Sequence, residues 1–276
     1  MYEPVRFSGF PEIKESLVSG HLPATFILAP LAMALRQQGV PIKIVYLGHR
    51  DGTAMMVARD SYIHRIQDLR HKRIAIPNRY SNQYLILFKA LKDNGLRLED
   101  VDIVEMPPPD MPAALFSRSV DAITSGEPFM AQTELEGYGR VLYQAKDIWP
   151  NFISCVLVVQ ESVIKDRPDW VRNLVNGIAK SGKWLESDFE HRMNAAETVA
   201  TRYYQQNPRL LRYVLSTPPD RVTYARLSLS KSDFEAIEHL AIEANLLDGS
   251  VSFEDYADCS FSDQTKDVAP YDWNGK

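Results

Sequence analysis

Hydrophobic and polar positions along this chain change their period repeatedly over its first half. Short apolar runs at residues 24–28, 42–47 and 53–58 read as buried strands. Further runs of the same kind lie at 74–76, 101–105, 122–124, 141–144 and 152–159, and residues 5–7 read as a short opening strand. Between them lie helix patterns. One starts at Pro11 and stops at Gly20 with Ile13, Leu17 and Val18 on its apolar face, and another spans 31–38 and stops at Gly39. Three more are expected at about 81–94, 111–118 and 128–138. Strand alternating with helix in this way builds parallel sheets flanked by helices, so the fold class is α/β.

The second half is helical. Val171, Leu174, Val175, Ile178 and Leu185 recur at helical spacing after Pro168, and residues 189–204 repeat the pattern. Ser232 and Glu235 stand at capping-box spacing before a third stripe of Phe234, Ile237, Leu240, Ala241, Ala244 and Leu247. The tail after Asp258, rich in Asp, Ser and Pro, is expected to lie loosely on the surface.

Composition narrows the function classes. With 276 residues, 45% of them hydrophobic, the chain is long enough for two lobes with a sizeable core. A net charge of -5 without a Lys/Arg track argues against nucleic acid. Cys155 and Cys259 form no paired-cysteine motif, so neither zinc nor dithiol chemistry is expected, and no cofactor or metal is assigned. No apolar run approaches the roughly 20 residues that span a bilayer. The opening residues also lack the basic stretch and apolar core of an export signal. The chain has no GxSxG, HExxH, GxGxxG or GxxxxGK[ST] motif, so no catalytic residue is assigned.

Four stretches carry a family resemblance: residues 10–20 (FPEIKESLVSG), 66–77 (IQDLRHKRIAIP), 120–129 (VDAITSGEPF) and 151–159 (NFISCVLVV). In that order they resemble the nitrate, sulfonate and taurine type of periplasmic solute-binding protein, a family with thiamine-precursor relatives. The resemblance implies a two-lobed, type II periplasmic-binding-protein-like fold, with residues 1–52 plus 154–276 forming one lobe and 53–153 the other. It also implies that the chain lacks the family's usual first strand and helix. The family role is a monomer outside the cytoplasm, periplasmic or membrane-anchored, that captures a small, anionic solute for an ABC permease and its ATPase. Two alternatives share the fold: an enzyme of thiamine-precursor or menaquinone biosynthesis, and a cytoplasmic ligand sensor.

In open α/β sheets, ligands collect beyond the carboxyl ends of strands, where helix N-termini present unpaired N–H groups. The positions so marked are Ala29 and Pro30, the polar turn Gly48–Gly52 with His49, Arg50, Asp51 and the following Thr53, the stretch Arg79, Tyr80, Ser81, Asn82 and Gln83, and Glu127. Arg79 beside a helix start suits an anion. The plainer reading is that Ser81 caps its own helix and Arg79 is solvated. His49, Arg50 and Asp51 either contact a solute and change partners on closure or form a solvated corner. Glu127 either offsets a helix dipole or receives a solute amine or hydroxyl. Tyr80 and Phe152 are candidate aromatic walls, or core.

Overall fold

A computed structural model describes residues 2–203 and 206–272. In chain order the elements are α1 (Phe10–Val18), β1 (Ala24–Ile27), α2 (Ala29–Gln37), β2 (Ile42–Asp51), β3 (Thr53–Ala58), β4 (Arg73–Ile76), α3 (Asn82–Asp93), β5 (Asp102–Glu105), α4 (Met111–Phe116), β6 (Ala122–Gly126), α5 (Phe129–Leu135), β7 (Gly139–Gln144) and α6 (Ala145–Ile148). Then follow β8 (Ile153–Gln160), α7 (Glu161–Asp166), α8 (Pro168–Ser187), α9 (Phe189–Arg202), α10 (Pro208–Ser216), β9 (Val222–Thr223), α11 (Lys231–Glu243), α12 (Phe253–Tyr256) and α13 (Cys259–Asp263).

The strands form two sheets, β1-β8-β2-β9 and β5-β4-β6-β3-β7, one for each lobe of an α/β fold. The chain passes from the first to the second at Asp51–Thr53 and returns after α6 into β8. These crossings break the expected parallel order. Strand β8 arrives from the far lobe and runs antiparallel to β1 and β2, and β3 likewise runs antiparallel to β6 and β7. Only β5-β4-β6 is parallel.

Period-two alternation sorts the second sheet's core into two faces. Met55, Val57, Ile74, Ile76 and Ala122 join the large core that holds α3, while Ala54, Met56, Ala58, Ala75 and Ile123 pack with α4 and α5. The large core continues through α11 and α2 into the first sheet.

Several expectations are corrected. Residues 5–7 are not a strand, and Val5 is 61% exposed. The polar turn at 48–52 shrinks to Gly52, because β2 keeps its pairing with β8 through Arg50 by shifting register. Helix α11 begins after Ser230, whose side chain makes no cap bond, so Ser232 and Glu235 are not a capping box. Tyr204, the expected end of α9, lies outside the described residues. The tail is not loose: Phe261, Ser262 and Thr265 are buried, and Lys183 Nζ donates to the carbonyls of Thr265, Lys266 and Val268 at 2.7–2.9 Å.

Candidate functional site

Helix α3 starts at the carboxyl end of β4, and its first residues face the seam between the sheets. Ser81 is extended (φ -105°), and its Oγ accepts the Tyr84 N–H at 3.0 Å, so it is an N-cap. The Asn82 amide donates to the carbonyls of Ile153 and Ser154, fastening α3 to the second crossing. Gln83 Nε2 donates to Thr53 Oγ1 at 3.0 Å. All four side chains are buried. Asn82 Oδ1, Gln83 Oε1 and Thr124 Oγ1 find no partner among the described residues. The void against Asn82, Asn151, Phe152 and Asp233 is only about 30 Å³, room for a water rather than a solute.

Arg79 and Tyr80 line a different space. A groove of about 270 Å³ runs between Phe10, Pro11, Lys14, Leu31 and Leu35 of α1 and α2 on one side and Asn78, Arg79, Tyr80 and Glu105 on the other. It is close to the lower end of the ~300–1,000 Å³ typical of small-molecule sites. Arg79 is half exposed, with its Nε 3.3 Å from Glu105 Oε1. Lys14 stands 3.8 Å from Glu15. Such exposed pairs are weak, so an anionic group can replace a carboxylate at little cost. Phe10 also borders a smaller hollow, about 140 Å³, against Pro108, Pro109 and Phe129. Ala29 and Pro30 are buried in the first turn of α2, beneath the Leu31 that reaches the groove.

The remaining candidates gather at the crossings. His49 lies on β2 with its Nδ1 3.5 Å from Cys155 Sγ and its ring 6.4 Å from Tyr224. Burial pushes the imidazole down to about 4 and the thiol up to about 12, so both are neutral near pH 7 and the pair is not an activated nucleophile. Arg50 is buried. Its Nε donates to Arg226 O (2.9 Å), its Nη1 to Asn151 O (2.6 Å), and its Nη2 pairs with Asp233 (2.7 Å). Asp51 and Gly52 both take positive φ, 60° and 70°, which turns the chain from one sheet into the other. The Asp51 N–H donates to Phe152 O, and the Phe152 ring packs edge-on to Trp149 in the core. Glu127 is engaged at both oxygens, Oε1 by Arg221 Nη1 at 2.8 Å and Oε2 by the Ala131 N–H in the first turn of α5.

Sequence reasoning missed Arg221, Asn151, Asp233 and Arg192, which supply the partners just described or hold the same segment. Arg221 and Arg192 sit in stretches with no strand or motif signal. Only their burial, 2% and 7% exposed, marks them. Among the described residues no three His, Cys, Asp or Glu side chains are grouped to hold a metal ion.

The taurine-binding periplasmic protein of Escherichia coli is 30% identical over 170 residues, covering 60% of this chain and 52% of that protein. The chain thus spans about half the length of that curated relative. The ligand-binding component of an ABC-type import system from Staphylococcus aureus, solved with zinc bound, is 26% identical and superposes with a TM-score of 0.84 over 95% of this chain and 87% of that one. The periplasmic nitrate-binding protein NrtA from Synechocystis PCC 6803 also reaches 0.84, at 12% identity over 94% and 78% of the two chains, and shows the shared fold alone. The desulfurization enzyme DszB has the same fold at 0.62, with 17% identity over 88% and 85%. The model of the NMT1-like family matches residues 2–200, most of the chain, and this protein belongs to that family.

Proposed function

We propose that the chain is the solute-binding component of an ABC importer, closing its lobes on a small anionic molecule and passing it unchanged to a membrane permease driven by a separate ATPase. The observation that carries this reading is the groove between α1–α2 and Asn78–Tyr80, where each lobe supplies one wall and Arg79 sits in an exposed, exchangeable ion pair. The taurine-binding relative supports a solute that carries an anionic group such as a sulfonate, and its periplasmic setting supports a place outside the cytoplasm. No helix among the described residues is long and apolar enough to cross a membrane. The lobes are taken as 1–52 plus 154–276 and 53–153, acting as a monomer.

In this reading Arg79 and Tyr80 touch the solute. Ser81, Asn82, Gln83 and Thr53 hold the seam behind them, and residues 49–52, Glu127 and Phe152 shape the crossings. No catalytic residue or cofactor is assigned in this reading.

The test is a thermal-shift series with taurine, an alkanesulfonate and nitrate. A solute at 100 times its Kd adds about 2.7 kcal/mol to native stability. Arg79→Gln removes a charge-assisted bond and weakens binding about ten- to a hundredfold, with the melting temperature of the free protein unchanged. Equal affinity in the Arg79→Gln protein removes the site assignment. A chemically altered solute recovered after denaturation removes the transport reading.

A further inference from the structure

The segment 217–224 is held from both lobes at once. On the side of the second sheet, Arg221 is 2% exposed. Its Nη1 pairs with Glu127 at 2.8 Å, its Nη2 with Glu134 at 2.6 Å, and its Nε donates to Thr217 O at 2.6 Å. The Tyr213 ring lies against the guanidinium at 5.2 Å. Beside it, Leu210, Val214 and Val222 form a small core of their own with Ala131 of α5. On the side of the first sheet, Arg192 of α9 donates to the carbonyls of Pro219 and Val222 and pairs with Glu186 of α8 at 2.8 Å. Glu186 in turn accepts the Tyr224 N–H at 2.6 Å.

The backbone repeats the pattern. Gly52 donates its N–H to Arg221 O at 2.7 Å and accepts the Glu127 N–H at 2.8 Å, so three segments meet on one residue. The fit is close: a Cβ on Gly52 would stand 2.9 Å from Val222 Cγ2.

Sheet order places this knot away from the groove. The knot lies at β2-β9 in the first sheet and at β3-β6 in the second, whereas the groove opens where α1 and α2 face the loops after β4 and β5. Separating a buried arginine from its carboxylates leaves uncompensated charge, whereas the pairs that line the groove, Lys14–Glu15 on one wall and Arg79–Glu105 on the other, are exposed.

We infer that residues 217–224 form the pivot about which the lobes close, a third connection beside the two chain crossings, and that Arg221 is the positioning residue that holds it. Opening widens the α1–α2 edge, and the Arg221 knot stays intact. The role as a pivot rests on the solute-binding reading above. The knot itself is tested without any solute, so its failure and the failure of that reading are separate events.

The experiment is native-state hydrogen exchange on the whole chain, wild type against Arg221→Gln, with no solute added. Exchange in 126–135 and in 208–216 is expected to accelerate together, by roughly tenfold more than in α3 and β8. Arg221→Lys, which keeps the charge and loses the fork, falls between the two. Should Arg221→Gln not fold, Glu134→Gln must give the same paired pattern at smaller amplitude. Acceleration confined to 208–216, or spread evenly over the molecule, overturns the inference.

Discussion

Removing the Arg221 guanidinium while keeping Glu127 strands a buried carboxylate whose pKa burial already pushes up. Arg221→Met is therefore expected to cost about 3–5 kcal/mol, read by urea denaturation at pH 7. The Arg221→Met/Glu127→Leu double variant should recover part of that loss, because the carboxylate left without its partner is then only the partly exposed Glu134. A double variant less stable than the single one would contradict the burial argument. His49 gives a pH prediction of known sign. Its folded pKa, about 4, lies below the ordinary histidine value near 6.5. The unfolded chain therefore takes up the proton first, and stability is lost as pH falls from about 6.5 towards 4. His49→Gln should flatten that slope between pH 7 and pH 5, and an unchanged slope would place the responsible group elsewhere. At this scale the sequence leaves each polar candidate with two readings. Ser81 and Glu127 show why: the atoms that decide between them are the Tyr84 and Ala131 N–H groups and the Arg221 fork, the last 94 residues away.

Helix α3 is the element whose start matters most, since its cap, its Asn82 tie to the second crossing and the Arg79–Tyr80 wall all depend on it. Ser81→Ala is expected to destabilise the fold by about 1 kcal/mol and Ser81→Gly by only a few tenths, measured by chemical denaturation. A negligible cost for Ser81→Ala would mean that the hydroxyl bond to Tyr84 is not what stabilises the start. Elements with a long apolar stripe, α8 and α11, and strands buried on both faces, β3 and β8, were legible from periodicity. Those that depend on a distant partner were not. β9 is two residues long and exists because Arg50 and Asp51 pair with it. The segment 48–51 looks like a turn by composition, yet it stays strand because β8 supplies the ladder. Residues 5–7 have strand composition but join neither sheet. The tail past Asp258 is short of apolar residues, but buried Phe261, together with Ser262, Thr265 and the Lys183 hydrogen bonds, docks α13 against the first lobe.

At the scale of the whole molecule, two sheets of unlike order are joined at β2-β9 of the first and β3-β6 of the second, and a groove opens between α1–α2 and the loop after β4. In the proposed reading that asymmetry provides both a solute groove and a pivot, and it sets the expectation that solute binding raises the melting temperature while leaving the Arg221 knot protected. The α/β class, most of the strand and helix order and the family resemblance were determined by sequence alone, because hydrophobic period and capping residues act over a few positions along the chain. Which polar residues stay exposed and which hold the frame was decided only by tertiary structure. Arg50 spends its donors on Asn151, Arg226 and Asp233, between 101 and 183 residues away, while Arg79, equally basic in the sequence, stays half exposed in the groove. The physical reason is that a hydrogen-bonding group is defined by its partner, and a partner brought in by chain crossing has no signature in local pattern.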